Sequence, residues 1–222
     1  DPLWSRGLGD VYKRQGYDDA MAGRIVFVGE PEGRIREDYL RILRFYRFYA
    51  WYGRGAPDAA AVAACAALAE GVERLSAERV SKELLKLLAA PDPRPAVQLM
   101  DEAGVLGRVV PPTDLTLFEA MTAVSGDAVL RLSALLPADP ARVAEVARRL
   151  RLSNAQRDRL VEAVSGKASP GLTDRQARTV IYRDGRQAFE DRVMRVWAAG
   201  GDPEAARRLL TLAQDWSRPS LP

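Results

Sequence analysis

Residues 34–48, RIREDYLRILRFYRF, constrain this chain more than any other stretch. At about 100° per residue, Glu37, Asp38 and Arg41 fall within roughly 60° of Arg34 around a helix axis. Arg44 and Arg47 follow on the same side, and Tyr39, Ile42, Leu43, Tyr46 and Tyr49 occupy the other. The spacing predicts one continuous helix from Arg34 to about Trp51, with an apolar back set in a core and a rigid polar front.

That front has two readings. Asp38 and Arg41 stand one turn apart. A carboxylate accepts from an exocyclic amine and a guanidinium donates to ring acceptors, so the pair matches the edge of cytosine or adenine. Arg44 and Arg47 suit phosphate oxygens. The same residues also form an ordinary intrahelical ion pair, Glu37 with Arg41, worth about a few tenths of a kcal/mol. Pattern alone leaves both readings open.

The rest of the chain narrows the chemistry. There is no histidine among the 222 residues, which excludes His-based acid–base catalysis, His-containing triads and His-ligated zinc. The 33 basic and 30 acidic residues leave a net charge of +3, which permits a nucleic-acid partner without demanding one. Cys65 is the single cysteine, so no internal disulfide exists and a cytoplasmic setting is expected. No apolar run reaches membrane-spanning length, and no signal peptide is evident. Residues 1–15 read as foreign: DVYKRQ, residues 10–15, is the translation of a string resembling a transposon-end sequencing adapter. A genuine but unusual N-terminus is the alternative, and the stretch is set aside from fold reasoning.

Residues 23–28, GRIVFV, are the one plausible strand, poorly supported because nothing is left to pair with it. Everything after Gly29 reads as helix. Helices are expected at 58–75, 76–89, 96–104, 114–124, 127–136, 140–150, 154–164, 173–182, 187–199 and 203–216. Asp58, Asp139, Ser153, Thr173 and Asp202 supply N-caps. The fold class is therefore all-α, with at most one residual N-terminal strand. Arginines gather at Arg142, Arg148, Arg149, Arg151, Arg157 and Arg159, and again at Arg207 and Arg208. Arg148, Arg149, Arg151 and Arg157 are the candidates for RNA backbone contacts, though helical surfaces carry arginines without such a role.

Residues 23–48, GRIVFVGEPEGRIREDYLRILRFYRF, resemble the class II tRNA nucleotidyltransferase/poly(A) polymerase family. That family carries a strand ending in VGDP followed by RI-x-ED-x-LR-x-LR-x-x-RF. Glu30 stands where the family usually has Asp, and the ED-x-x-R element is intact as Glu37, Asp38 and Arg41. Arg79, Glu83 and Lys86 match polar positions of a second family segment. The resemblance implies a nucleotide-binding set of Asp38, Arg41, Arg44 and Arg47, supported by Glu37 and Arg34. It also implies residues 16–29 as the end of a catalytic head, 30–95 as a nucleotide-reading neck, and 96–222 as an RNA-binding body and truncated tail. CTP and ATP would be substrates, tRNA the partner and Mg²⁺ the metal. The family's D-x-D metal ligands are absent, since Asp18 and Asp19 are adjacent, so this chain alone is expected to be inactive. Poly(A) polymerase activity within the same family, or a non-catalytic helical RNA-binding module, are the alternatives.

Overall fold

The computed structural model describes residue 19, residues 21–165 and residues 171–217. The reading of residues 1–15 lies outside the described residues. The chain divides into two compact units, 1–112 and 113–222. Among the described residues there is no strand, and helices dominate both units. Residues 24–27 have no regular structure, as expected of a segment without a pairing partner. The segment is nevertheless held: the Phe27 ring stacks on Phe45 at 5.7 Å, and the Arg54 N–H donates to the Gly23 carbonyl at 2.9 Å.

The first unit begins with α1 (Pro31–Glu37) and α2 (Leu40–Tyr52). The single helix expected from Arg34 to Trp51 is thus two. Asp38 breaks it, with φ −157° and ψ 106°. Its carboxylate accepts the Leu40 N–H at 3.1 Å and its carbonyl the Arg41 N–H at 3.0 Å. Asp38 therefore meets two N–H groups at the start of α2, one position before its N-cap Tyr39. Short acidic side chains compete with the helical ladder in this way. The apolar period carries through the break, so Leu40, Ile42, Leu43, Phe45 and Tyr46 of α2 are all buried.

Asp58 caps α3 (Ala59–Ala67) through the Ala61 N–H at 2.7 Å. The helix expected to reach Leu75 ends early and gives way to a 3₁₀ turn, Ala69–Arg74. Gly71 explains the change: a Cβ there would lie 1.9 Å from the Tyr39 ring, so bare backbone meets the aromatic face. Helices α4 (Ala77–Leu88), α5 (Arg94–Glu102) and α6 (Leu106–Val109) complete the unit. Both α4 and α5 pack on α2. Helix α5 therefore belongs to this unit, and the units divide after Pro112, later than the neck–body division read at Pro95.

The second unit comprises α7 (Thr116–Val124), α8 (Ala128–Ala134), α9 (Pro140–Arg149), α10 (Asn154–Val164), α11 (Asp174–Asp184), α12 (Arg186–Ala198) and α13 (Pro203–Asp215). Ser153 with Gln156 and Thr173 with Gln176 form full capping boxes. Asp127, Asp139 and Asp202 accept first-turn N–H groups. Gly185, at φ +87°, permits the tight passage from α11 to α12. Its core includes Ala177, Ile181, Phe189, Val193, Ala206, Leu209 and Ala213. No described helix is long and apolar enough to cross a membrane.

Candidate nucleic-acid interface

The break between α1 and α2 sets where each polar side chain points. Leaving the helical path at Asp38 turns its carboxylate away from Arg41 and toward α4. There Arg79 donates through Nη2 to Oδ2 at 2.9 Å and to Oδ1 at 3.2 Å. Arg41 instead donates through Nη1 to Glu37 at 2.7 Å and to the Arg34 carbonyl at 2.8 Å. Arg34 also holds Glu37, at 2.6 Å. The hydrogen bond from Arg41, with that from Arg34, keeps the Glu37 carboxyl below the usual carboxylate range. The Glu37–Arg41 ion pair is therefore present, but across the break between α1 and α2 rather than within one helix. The two guanidiniums are held across the turn with their side chains 42% and 28% exposed, Arg34 and Arg41 respectively.

Further along α2, Arg47 donates through Nε to Glu83 at 2.6 Å, and Arg44 lies 3.9 Å from the same carboxylate. Glu83 is buried, its side chain only 8% exposed. Sequence reasoning had Arg44 and Arg47 free to meet phosphate. The structure ties Arg47 to a buried acid and leaves Arg44 half-exposed. Phosphate contact by Arg47 would thus add to, rather than replace, a structural pair.

Three residues matter here that the α2 pattern does not show. Arg79 and Glu83 hold the site from α4, one turn apart on its face toward α2. Gly71 seats the Tyr39 ring, immediately after Asp38, and the Arg74 guanidinium lies 5.6 Å from that ring's centroid. The resemblance marked Arg79 and Glu83 as polar positions. Their pairing with Asp38 and Arg47 spans 41 and 36 residues, which no local spacing reveals.

The arginines of the second unit divide by burial. Arg148, Arg149 and Arg151 are exposed at the end of α9. Arg151 adopts φ +50°, the one described non-glycine residue in the left-handed region. Arg157 is half-buried and donates to Asp158 at 2.7 Å and Asn154 at 3.2 Å. Arg159 is structural: it holds Asp191 at 2.7 Å and Asp127 at 2.9 Å. These bonds, foremost that to Asp191, raise its pKa further. Arg208 donates to Asp174 and to the Leu172 carbonyl, and Arg207 stacks over Trp197 at 5.3 Å.

Among the described residues, no three His, Cys, Asp or Glu side chains are grouped so as to hold a metal ion.

A search of curated proteins returns no match. Residues 57–116 match a family model described as the probable RNA and SrmB-binding site of polymerase A. That segment contains α3 to α6, including Gly71, Arg79 and Glu83. At this coarse level, the first unit carries a helical module similar to the RNA-binding segment of polymerase A.

Proposed function

We propose that this chain is the nucleotide-reading and RNA-holding part of a template-independent tRNA nucleotidyltransferase. Asp38 and Arg41 face the base of incoming CTP or ATP, and basic helices hold the tRNA during addition of C, C and A to its 3′ end. One observation carries the reading. Arg79 and Glu83, inside the segment similar to an RNA-binding module, grip Asp38 at the α1–α2 break and Arg47 of α2. The base-edge residues and the RNA-binding-like helices are therefore one packed piece.

The chemistry follows from the donor and acceptor inventory. The Asp38 side chain is 28% exposed, and its two oxygens retain acceptor sites beside Arg79. It accepts from the amine of C or A, and Arg41 donates to the ring acceptors of the same base once its guanidinium leaves Glu37 and the Arg34 carbonyl. U and G present a carbonyl at that place, setting acceptor against acceptor. Leaving those groups unpaired costs about 1–3 kcal/mol, or roughly ten- to hundredfold in rate. The metal chemistry of transfer is assigned to a head domain, because this sequence contains no D-x-D pair.

The test is incorporation kinetics with all four nucleotides and tRNA, in a chimera joining this chain to a relative's head domain. Asp38→Ala is expected to relax the CTP:UTP preference by about tenfold or more. Arg41→Ala should weaken CTP and ATP use together. Arg44→Ala should weaken nucleotide binding with base preference kept. An unchanged CTP:UTP ratio in Asp38→Ala would show the turn to be scaffolding only. The polymerase A description of the matching segment favours one second reading, poly(A) synthesis. ATP incorporation with no CTP incorporation would select it. The 222-residue chain alone is expected to bind RNA and incorporate nothing.

A further inference from the structure

A cleft of about 250 Å³ opens in the second unit, far from any residue discussed so far as base-reading in sequence. Its walls are mostly apolar, with Leu117, Ala138, Val164 and Val196 among them, and Arg192 and Arg195 supply its two guanidiniums. These arginines differ in how their charge is met. Arg192 donates to Asp184 at 2.5 Å, and also to the Glu162 carboxylate. Arg183 shares Asp184. Two guanidiniums, Arg183 and Arg192, thus face two carboxylates, and that group is balanced.

Arg195 has no such partner. Its Nη1 donates to the Ser133 carbonyl at 2.6 Å and to Ser133 Oγ at 3.1 Å. Among the described residues, Nε and Nη2 make no hydrogen bond. In the second unit, residues 166–170 and 218–222 add no acidic side chain, since they read GKASP and RPSLP. A guanidinium has five N–H donors in a fixed fork. Three of them remain unspent on a group that burial already penalises for being charged, so that its pKa is lowered. An unmatched charge against apolar walls is costly unless an anion meets it.

We propose that this cleft binds a single phosphate group, with Arg195 as the bidentate donor and the apolar walls covering the attached ribose. The volume lies at or below the small end of ligand pockets, which suits one phosphate and a sugar rather than a larger cofactor. Guanidinium forks match phosphate geometry. The phosphate belongs either to a free nucleotide or to an RNA chain, and the site is independent of base reading at Asp38.

The experiment uses the full 222-residue chain and follows the Arg195 Nε–H resonance by ¹⁵N NMR. The probes are inorganic phosphate, CMP, a short oligoribonucleotide and acetate. Saturable shifts with inorganic phosphate or CMP are expected if the source is free phosphate. Saturation by the oligoribonucleotide alone assigns an RNA backbone phosphate. Arg195→Lys, followed by the backbone amide resonances of Val196 and Ala199 at the cleft, keeps the charge and loses the fork, so about a tenfold loss of affinity is expected. Ala138→Glu is the second variant: Ala138 is exposed and lines the cleft. Its carboxylate is expected to abolish saturation with an unchanged melting curve. Absence of saturation with every phosphate probe, equal saturation by acetate, or undiminished binding in Ala138→Glu would each overturn the proposal. Asp38→Ala should leave these titrations unchanged, which separates this site from the base-reading turn.

Discussion

The Tyr46 hydroxyl is buried with no hydrogen-bond partner in the structure. Its ring is fully enclosed, and burial, together with the nearby Cys65, pushes the phenol well above its ordinary pKa. Cys65 is likewise pushed up by burial, to about 12, which leaves it a small apolar side chain rather than a nucleophile. An unbonded buried hydroxyl costs stability, so Tyr46→Phe should leave stability unchanged or raise it by up to about 1 kcal/mol. Urea unfolding with an unchanged slope is the measurement, and a loss above that size would reveal a partner for the hydroxyl. Gly71 is the opposite case. A methyl group there must displace the Tyr39 ring, so Gly71→Ala is expected to cost about 1–3 kcal/mol by overpacking. Because Tyr39 follows Asp38, the same change should disturb the CTP:UTP ratio of the chimera. A destabilised variant with normal selectivity would confine Gly71 to packing.

Helix pairs are joined by charges whose removal has unequal effects. Glu83 of α4 is almost enclosed, and its partner Arg47 on α2 is 16% exposed. Glu83→Ala leaves that guanidinium without its acid, which should cost about 3–5 kcal/mol, whereas Glu83→Gln keeps an acceptor and should cost less. Equal melting temperatures for the two would mean that the pair is energetically idle. In the second unit, Asp184 ends α11 between Arg183 and Arg192. Their hydrogen bonds, Arg183 first, hold its carboxyl well below the usual carboxylate range. Its stabilising effect is therefore full above the unfolded-state pKa near 3.9 and is lost as pH falls toward the depressed folded value. Asp184→Asn should lower stability at neutral pH and flatten the stability curve below about pH 4. An unchanged acid limb would assign acid unfolding to other carboxylates. These elements also show what the sequence made legible. The helices of the second unit follow from Asp139, Ser153, Thr173 and Asp202, because a cap is a local event between residues two or three apart. The break at Asp38 was not legible, since the apolar period from Ile35 through Leu43 continues across it. Asp38 and Arg41, read as side by side, are turned apart, because the direction of Asp38 depends on a backbone turn that periodicity does not encode. The 3₁₀ turn at Gly71 was hidden likewise, as it answers to a ring thirty-two positions earlier in sequence (Tyr39).

For the whole molecule, a net charge of +3 over 222 residues is too small to bind RNA by overall attraction. Affinity must come from local basic surface, and the end of α9 is one place where exposed arginines gather. Arg148 and Arg149 occupy its last turn, and Arg151 follows. The Arg151 N–H donates to the Arg148 carbonyl and the Leu152 N–H to the Ala147 carbonyl, both at 3.0 Å, closing the helix. That closure places Arg151 at φ +50°, where glycine is the usual occupant. An arginine there costs about 1–2 kcal/mol relative to an unstrained residue. Such strain at an exposed cationic residue motivates a functional hypothesis: Arg151 is kept for an RNA phosphate rather than for the turn. Arg151→Gly separates the two roles. It relieves the backbone while removing the charge, and glycine's added freedom in the unfolded chain offsets about 0.5–1 kcal/mol of the gain. Stability should therefore hold or rise, while tRNA affinity falls. The slope of log affinity against log salt should shrink by about 0.7–0.9 for the lost contact. Arg148→Gln and Arg149→Gln should reduce the slope similarly. Arg157→Gln tests whether a guanidinium held by Asp158 and Asn154 contributes to the slope as well. Binding measured across a salt series for each variant, beside thermal melts, decides the matter. An Arg151→Gly chain with unchanged affinity and slope would remove α9 from the RNA surface and leave its left-handed arginine without a binding role.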